Sequence, residues 1–185
     1  MSHSHFNYIK HVYHTGLEEI RIPDIHHGRV NADFGQGFYL TPDRDFTYRW
    51  ARKGSVVNEY ELDISGLTVH SFTRTEDWFS YIFNNRRGQD GLQADVVIGP
   101  IANDTIFETF GFITSGYLEP SDALKLLMIG PEYTQVAIKS QKAVDQLRWI
   151  GSHVIEDVDT YQAALQKEKE EYQQRFAEVM EKIAE

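Results

Sequence analysis

Three short stretches of this 185-residue chain carry side chains able to do chemistry, and they lie far apart in sequence. The first is Tyr13-His14-Thr15-Gly16. The second is Asp33-Phe34-Gly35-Gln36-Gly37-Phe38-Tyr39-Leu40, which is followed by Thr47 and Trp50. The third is Tyr133-Thr134-Gln135. Together they offer an imidazole and an amide for hydrogen bonds, and aromatic faces on which a flat ring can stack.

Each stretch, taken alone, has a plain structural explanation. A histidine at a strand end is usually a surface residue or a hydrogen-bonded one. A Gly-x-Gly pair before an aromatic strand usually marks a turn, because glycine adopts positive φ without strain. Tyr39 and Trp50 would fit equally well in a core. Only the three stretches in combination indicate a site.

In combination and in this order, the stretches resemble the ADP-ribosyltransferase superfamily of the His-Tyr-Glu type. Gly35 to Leu40 is similar to the Gly-Lys-Gly-Ile-Tyr-Phe signature of the poly(ADP-ribose) polymerases. That signature continues with a Ser and a second Tyr, at spacings where this chain has Thr47 and Trp50. The Tyr-Asn-Glu of the superfamily's catalytic strand is similar to Tyr133-Thr134-Gln135.

The chain as far as about Trp149 resembles a bacterial family of unknown function, DUF3990, more closely still. The stretches that carry this second resemblance are Tyr13-His14-Thr15-Gly16, residues 33–41, Trp50-Ala51, Gly99-Pro100-Ile101-Ala102-Asn103-Asp104 and Gln135-Val136-Ala137-Ile138. The two resemblances imply an α+β fold with an ADP-ribosyltransferase-like split β-sheet core, peripheral helices and a C-terminal helix.

The resemblance also implies a cleft that binds NAD as substrate, with His14, Tyr39 and Gln135 as the candidate catalytic residues. The nicotinamide ring would stack between Tyr39 and Trp50, and His14 would bond a ribose hydroxyl of the adenosine half. The carboxamide would pair with the backbone of Thr15 or Gly16 and with the hydroxyl of Thr47. Two more residues are assigned to NAD binding: Arg29, which would meet the pyrophosphate, and Gly37. Asn103 and Asp104 would lie near the cleft mouth or cap the helix that follows.

The implied reaction is cleavage of the bond between ribose and nicotinamide, and Gln135 is where this chain departs from the superfamily. A neutral amide can bond a ribose hydroxyl, but it cannot act as a general base. This favours transfer of a single ADP-ribose, or hydrolysis of NAD, over polymer formation. It also leaves open a binding module without catalysis. Glu132 could supply the acid only if the strand register differed by three residues. The acceptor, a protein or a nucleic acid, is undefined, and a role as a toxin or defence component follows by analogy alone.

Composition and charge weigh against other classes of protein. The chain has no cysteine, a polar N-terminus and no long apolar run, which predicts a cytoplasmic protein without membrane contact. Its net charge of -10 argues against a broad surface for nucleic acid. The spacing of His11, His14, His26 and His27 matches no established zinc pattern, so no metal is expected. No pair of carboxylates is marked out for glycoside hydrolysis.

The elements that must position these residues follow from hydrophobic periodicity and turn signals. Strands are predicted at 8–14, 37–41, 56–64, 67–72, 95–99, 133–139 and 152–158, with 56–64 and 67–72 expected to form a hairpin. Helices are predicted at 41–54, 75–84, 104–111, 121–128 and 141–149.

The character of the chain changes at Asp159. We divide it into an ADP-ribosyltransferase-like domain, residues 1–158, and a charged amphipathic helix, residues 159–185. Apolar residues fall near one face of this helix, but Glu168 and Lys169 interrupt the seam, which argues against a coiled coil. The helix either packs on its own domain or forms an oligomer or partner contact.

Overall fold

The computed structural model describes residues 11–102 and 117–185, and the fold within them is α+β. The strands are β1 (His11–Gly16), β2 (Phe38–Leu40), β3 (Val56–Leu62), β4 (Val69–Ser71), β5 (Val96–Pro100), β6 (Thr134–Ile138) and β7 (Leu147–Val154). The helices are α1 (Glu76–Asn85), α2 (Pro120–Leu127), α3 (Gln141–Asp145) and α4 (Val158–Ala184), together with a 3-10 helix (Arg44–Trp50). The prediction of an α+β chain with a C-terminal helix is confirmed.

The strands form two sheets, which the described backbone joins at one bridge. One sheet has the order β1-β3-β7, and the other has the order β2-β6-β5-β4. All described pairings are antiparallel except that of β4 with β5. The sheets are joined where Tyr13 and Thr41 exchange two backbone hydrogen bonds, of 2.8 and 2.9 Å. This junction brings the end of β1 beside the end of β2.

The central strands of the second sheet, β5 and β6, are buried on both faces. Side chains alternate between the two faces along each strand, so each strand packs on both sides. Val97 and Ala137 pack with Trp78 of α1 and Leu126 of α2. The intervening residues of β5 and β6 pack on the opposite side, where the first sheet contributes Val12, Tyr60 and Leu62. Burial on both faces explains why β5 is continuously apolar in sequence.

Helix α4 packs against the body of the domain. Tyr172 is buried in the cluster formed with α1 and α2, and Phe176, Val179 and Ile183 pack against that cluster. Nearer its start, the ring of Tyr161 stacks on Tyr48 of the 3-10 helix at 4.2 Å. The helix is therefore a support for the 3-10 helix as well as a cover for the core.

Several predicted elements differ from the observed ones. The predicted hairpin is wrong, because β3 and β4 belong to different sheets and β4 pairs in parallel with β5. Periodicity identifies a strand but not its partner. The helix predicted for 41–54 is a 3-10 helix that begins only at Arg44, because Thr41 is held in extended backbone by Tyr13 and by the bond from its hydroxyl to the carbonyl of Thr134.

Two further boundaries also need correction. The helix predicted for 141–149 ends at Asp145, and β7 begins at Leu147, earlier than the strand predicted for 152–158. The cap expected at Ser121 is at Glu119, with Pro120 in the first turn. The helices at 75–84 and 121–128 and the strands at 95–99 and 133–139 are confirmed to within two residues. The helix predicted at 104–111, and Asn103 and Asp104, lie outside the described residues.

Candidate functional site

A cleft of about 310 Å³ opens where the two sheets meet. It brings together seven of the nine residues predicted for the site. They are His14, Thr15, Arg29, Tyr39, Thr47, Trp50 and Gln135. The cleft is also lined by Tyr13, Ala32, Asp33, Leu40, Thr41, Phe46 and Ile101. Its volume is at the lower end of the range of about 300–1,000 Å³ typical of small-molecule sites.

His14 is fixed in one hydrogen-bonding state by its neighbours. Its Nδ1 lies 2.8 Å from the carbonyl oxygen of Tyr39 and must donate to it. In a neutral imidazole this leaves Nε2 as an acceptor. Burial lowers the pKa of His14, although the Tyr39 carbonyl opposes that shift. The neutral form is therefore favoured at neutral pH, and the cleft wall presents a positioned acceptor rather than a cation.

Tyr39 contributes a ring to the cleft, while its hydroxyl is engaged in holding the adjacent loop. The hydroxyl donates to the carbonyl of Gly35 at 2.7 Å and accepts from the backbone N–H of Phe34 at 2.9 Å. Gly35 has a φ of 77°, a conformation that favours glycine. Burial raises the pKa of the Tyr39 hydroxyl. This side chain therefore offers an aromatic surface and not an acid or a base.

The 3-10 helix supplies the opposite part of the cleft. Thr47 is buried, and its hydroxyl donates to the carbonyl of Arg44 at 2.5 Å, so the same oxygen can still accept a bond from a ligand. The hydroxyl of Thr15 donates to the carbonyl of Thr47 and ties β1 to this helix. Trp50 is 46% exposed and lies edge-on to the ring of Phe46. Phe46, which also lines the cleft, was not predicted. It precedes Trp50 by four residues, a spacing that places two side chains on the same face of a helix.

Gln135 lies beside the carboxylate of Asp33, for which the sequence predicts no role. Its amide nitrogen is 3.3 Å from Oδ2 of Asp33 and 3.3 Å from the carbonyl oxygen of Pro100. The other oxygen of Asp33 accepts from Nε and Nη2 of Arg86, at 2.9 and 2.8 Å. Asp33 and Gln135 line the cleft, and the side chains of both Asp33 and Arg86 are buried. Gln135 thus presents a neutral amide bonded to a buried ion pair.

A family model matches residues 10–149, and its description is a protein of unknown function, DUF3990. The chain belongs to the DUF3990 family. The match spans β1 to β6 and the first residues of β7, and so includes every residue described above as lining the cleft. It ends before α4 begins. No curated protein and no solved structure matches the chain.

Two of the residues predicted to contact NAD do not line the cleft of this DUF3990 protein. They are Gly16 and Gly37. A Cβ on Gly16 would lie 3.4 Å from Nε2 of His14. A Cβ on Gly37 would lie only 2.7 Å from the backbone oxygen of Ile138, on the strand paired with β2. The described structure therefore gives Gly37 a packing reason to be glycine, and ligand contact by either residue stays a prediction.

Gly37→Ala should lower the free energy of unfolding by roughly 1–3 kcal/mol, because the new methyl group must push β2 away from β6. Gly91→Ala is the matched control, since a Cβ there would meet nothing within 4 Å. Chemical denaturation of both variants measures the difference. Equal stabilities would contradict the close approach at Gly37.

No three His, Asp or Glu side chains that could hold a metal ion come together in residues 11–102 and 117–185. In the same part of the chain, no helix is long and apolar enough to cross a membrane.

Proposed function

We propose that this protein binds NAD in the cleft, breaks its nicotinamide glycosidic bond and transfers ADP-ribose to a macromolecular acceptor. The observation that carries the proposal is that His14, Tyr39 and Gln135, from three distant stretches, line one cleft together with Thr47 and Trp50. The resemblance that suggested these residues requires them to meet. Two sheets joined beside the cleft are also in keeping with an ADP-ribosyltransferase-like split sheet.

The residues of the cleft suit the chemical parts of NAD. Tyr39 and Trp50 offer aromatic faces for the nicotinamide ring, and the Thr47 hydroxyl oxygen can accept from the carboxamide. Nε2 of His14 can accept from a ribose hydroxyl. The exposed Arg29 lies at the cleft and provides a cation for the pyrophosphate. A chain with a net charge of -10 needs such a local cation to hold an anionic ligand.

The reaction would break the bond between C1′ of the ribose and N1 of nicotinamide, and the electron pair would leave with the nicotinamide. Positive charge then develops on the ribose, and holding the substrate in position lowers the barrier. A nucleophilic group of the acceptor forms the new bond to C1′ and releases its proton to solvent. With water as the acceptor the products are nicotinamide, ADP-ribose and a proton.

A second candidate, an NAD-binding or protein-interaction module without catalysis, is favoured by one observation. Gln135 is neutral, and both N–H groups of its amide are engaged by Asp33 and Pro100. It can bond a ribose hydroxyl but cannot remove a proton. Under the first proposal the protein would act in the cytoplasm on a protein or nucleic acid, as a toxin or defence component by analogy with the superfamily. Under the second, α4 would carry the partner contact.

Incubation with NAD labelled in its adenylate, alone and with cell lysate, tests the proposal. Label on a macromolecule means transfer. Free nicotinamide without transferred label means hydrolysis. Tight binding of NAD with neither product supports an NAD-binding module, and no binding contradicts the first proposal and an NAD-binding module alike.

The variants for this experiment are His14→Ala, Tyr39→Ala and Gln135→Ala. His14→Ala should weaken NAD binding about tenfold, the loss of roughly one hydrogen bond. His11→Ala is the matched control, because His11 lies on the same strand but is exposed and bonds Glu59. If His11→Ala and His14→Ala bind NAD equally well, the assignment of His14 is wrong.

A further inference from the structure

The described part of the cleft holds one carboxylate, and it belongs to Asp33 rather than to the position where the superfamily has Glu. The two oxygens of Asp33 have different partners. Oδ1 accepts from Arg86, whose side chain is buried and does not line the cleft. Oδ2 faces the amide of Gln135. Arg86 thus holds the carboxylate of Asp33 on the side away from the cleft, and the other oxygen of that carboxylate lies against Gln135.

The bond to Asp33 also fixes the orientation of Gln135. An amide group has two N–H donors, and in Gln135 these meet two acceptors, Oδ2 of Asp33 and the carbonyl of Pro100. The amide oxygen is then the only hydrogen-bonding atom of this side chain still available to a ligand. A hydrogen bond from an amide N–H to a carboxylate also polarises the amide, which makes its oxygen more negative.

We infer that Asp33 supplies, through the amide of Gln135, the negative potential that stabilises positive charge on the ribose. Asp33 is a positioning residue, and Gln135 is the group that would touch the substrate. The inference rests on the proposed function. It explains how a site with glutamine at the third position retains glycosidic cleavage without a general base. In this scheme Asp33 takes no proton from the acceptor.

The inference is tested by exchanging the acid and the amide. The rate of nicotinamide release from NAD is measured for the full chain, for Asp33→Asn, and for the double variant Asp33→Asn with Gln135→Glu. Asp33→Asn should lower kcat roughly 100-fold, as removal of one preorganised stabilising group does, with little change in KM. The double variant returns a carboxylate to the cleft and should regain at least about tenfold over Asp33→Asn.

Gln135→Glu alone provides a second readout. It would place two carboxylates side by side, and like charges that close cannot both ionise readily. The pH profile of kcat for Gln135→Glu should therefore show an added ionisation, with a pKa above that of an ordinary carboxyl group. An unchanged pH profile would contradict the close contact between Asp33 and position 135.

Asp90→Asn is the matched structural control. Asp90 pairs with Lys139, whose Nζ also bonds the carbonyl of Phe34, so this ion pair holds the same loop without lining the cleft. Asp90→Asn should cost stability but leave kcat unchanged. Thermal unfolding of every variant separates loss of fold from loss of rate.

The possible failures are distinguishable. If the wild type releases nicotinamide and Asp33→Asn keeps the wild-type kcat, or the double variant is no faster than Asp33→Asn, the inference is wrong and the proposed function stands. If the wild type releases no nicotinamide, the proposed function is wrong and the inference falls with it.

Discussion

Arg86→Met should lower the free energy of unfolding by roughly 3–5 kcal/mol, because it leaves the carboxylate of Asp33 buried without its cation. The side chains of Arg86 and Asp33 are only 3% and 8% exposed, so solvent cannot take over the lost interaction. The methionine retains much of the apolar volume of the arginine stem. Urea denaturation monitored by tryptophan fluorescence would measure the loss.

Two comparisons make this prediction specific. Adding Asp33→Asn to Arg86→Met removes both charges and should recover at least about 2 kcal/mol, which a double-mutant cycle would report as coupling between the pair. Arg87→Met is the control, since the next residue is exposed and lies over the ring of Phe83. It should cost no more than about 1 kcal/mol. If Arg86→Met and Arg87→Met have equal effects, the ion pair does not stabilise the fold.

Trp78→Ala should also be costly, with a loss of about 3–5 kcal/mol, because Trp78 is completely buried in the core beneath the second sheet. Its indole N–H donates to the carbonyl of Pro100 at 3.1 Å, and the same carbonyl accepts from Gln135. We therefore expect the variant to be less stable and, in the molecules that still fold, the side chain of Gln135 to be less firmly oriented. Trp78→Phe keeps most of the volume and should cost less.

Trp50→Ala is the counterpart to Trp78→Ala. Trp50 is 46% exposed and lines the cleft, so its loss should change the free energy of unfolding by less than about 1 kcal/mol. NAD affinity should fall by roughly 2–10-fold, the value of one aromatic stack. Calorimetric titration with NAD and thermal unfolding on both variants separate the two effects. Unchanged NAD affinity in Trp50→Ala would argue against the stacking surface.

The residues predicted to line one cleft are those whose order along the chain matches the order of motifs in the ADP-ribosyltransferase superfamily. His14, Tyr39 and Gln135 could be predicted from that order, and their neighbours Thr47 and Trp50 from spacing. Helix α1 could be predicted from local signals alone, since Thr75 caps it and its apolar residues fall on one face.

What the sequence could not show depends on contacts between distant segments. Asp33 and Arg86 are 53 residues apart, and nothing in either local pattern indicates that they pair. The partner of β4 was likewise set by packing, because a three-residue strand carries too little pattern to choose one. The 3-10 helix begins late because Thr41 is held by Tyr13 of another strand and Thr134 of a third.

The support that α4 gives to the 3-10 helix has a consequence for how this protein is divided. The family match ends at residue 149, three residues into β7, whereas Tyr161 and Glu168 of α4 contact Tyr48 and Arg49 beside the cleft. The region that matches the family, residues 10–149, is thus shorter than the region whose elements pack on one another, which includes α4. A fragment that ends at residue 149 would stop three residues into β7 and would lack the contacts of α4 with Tyr48 and Arg49, in the 3-10 helix that carries Trp50.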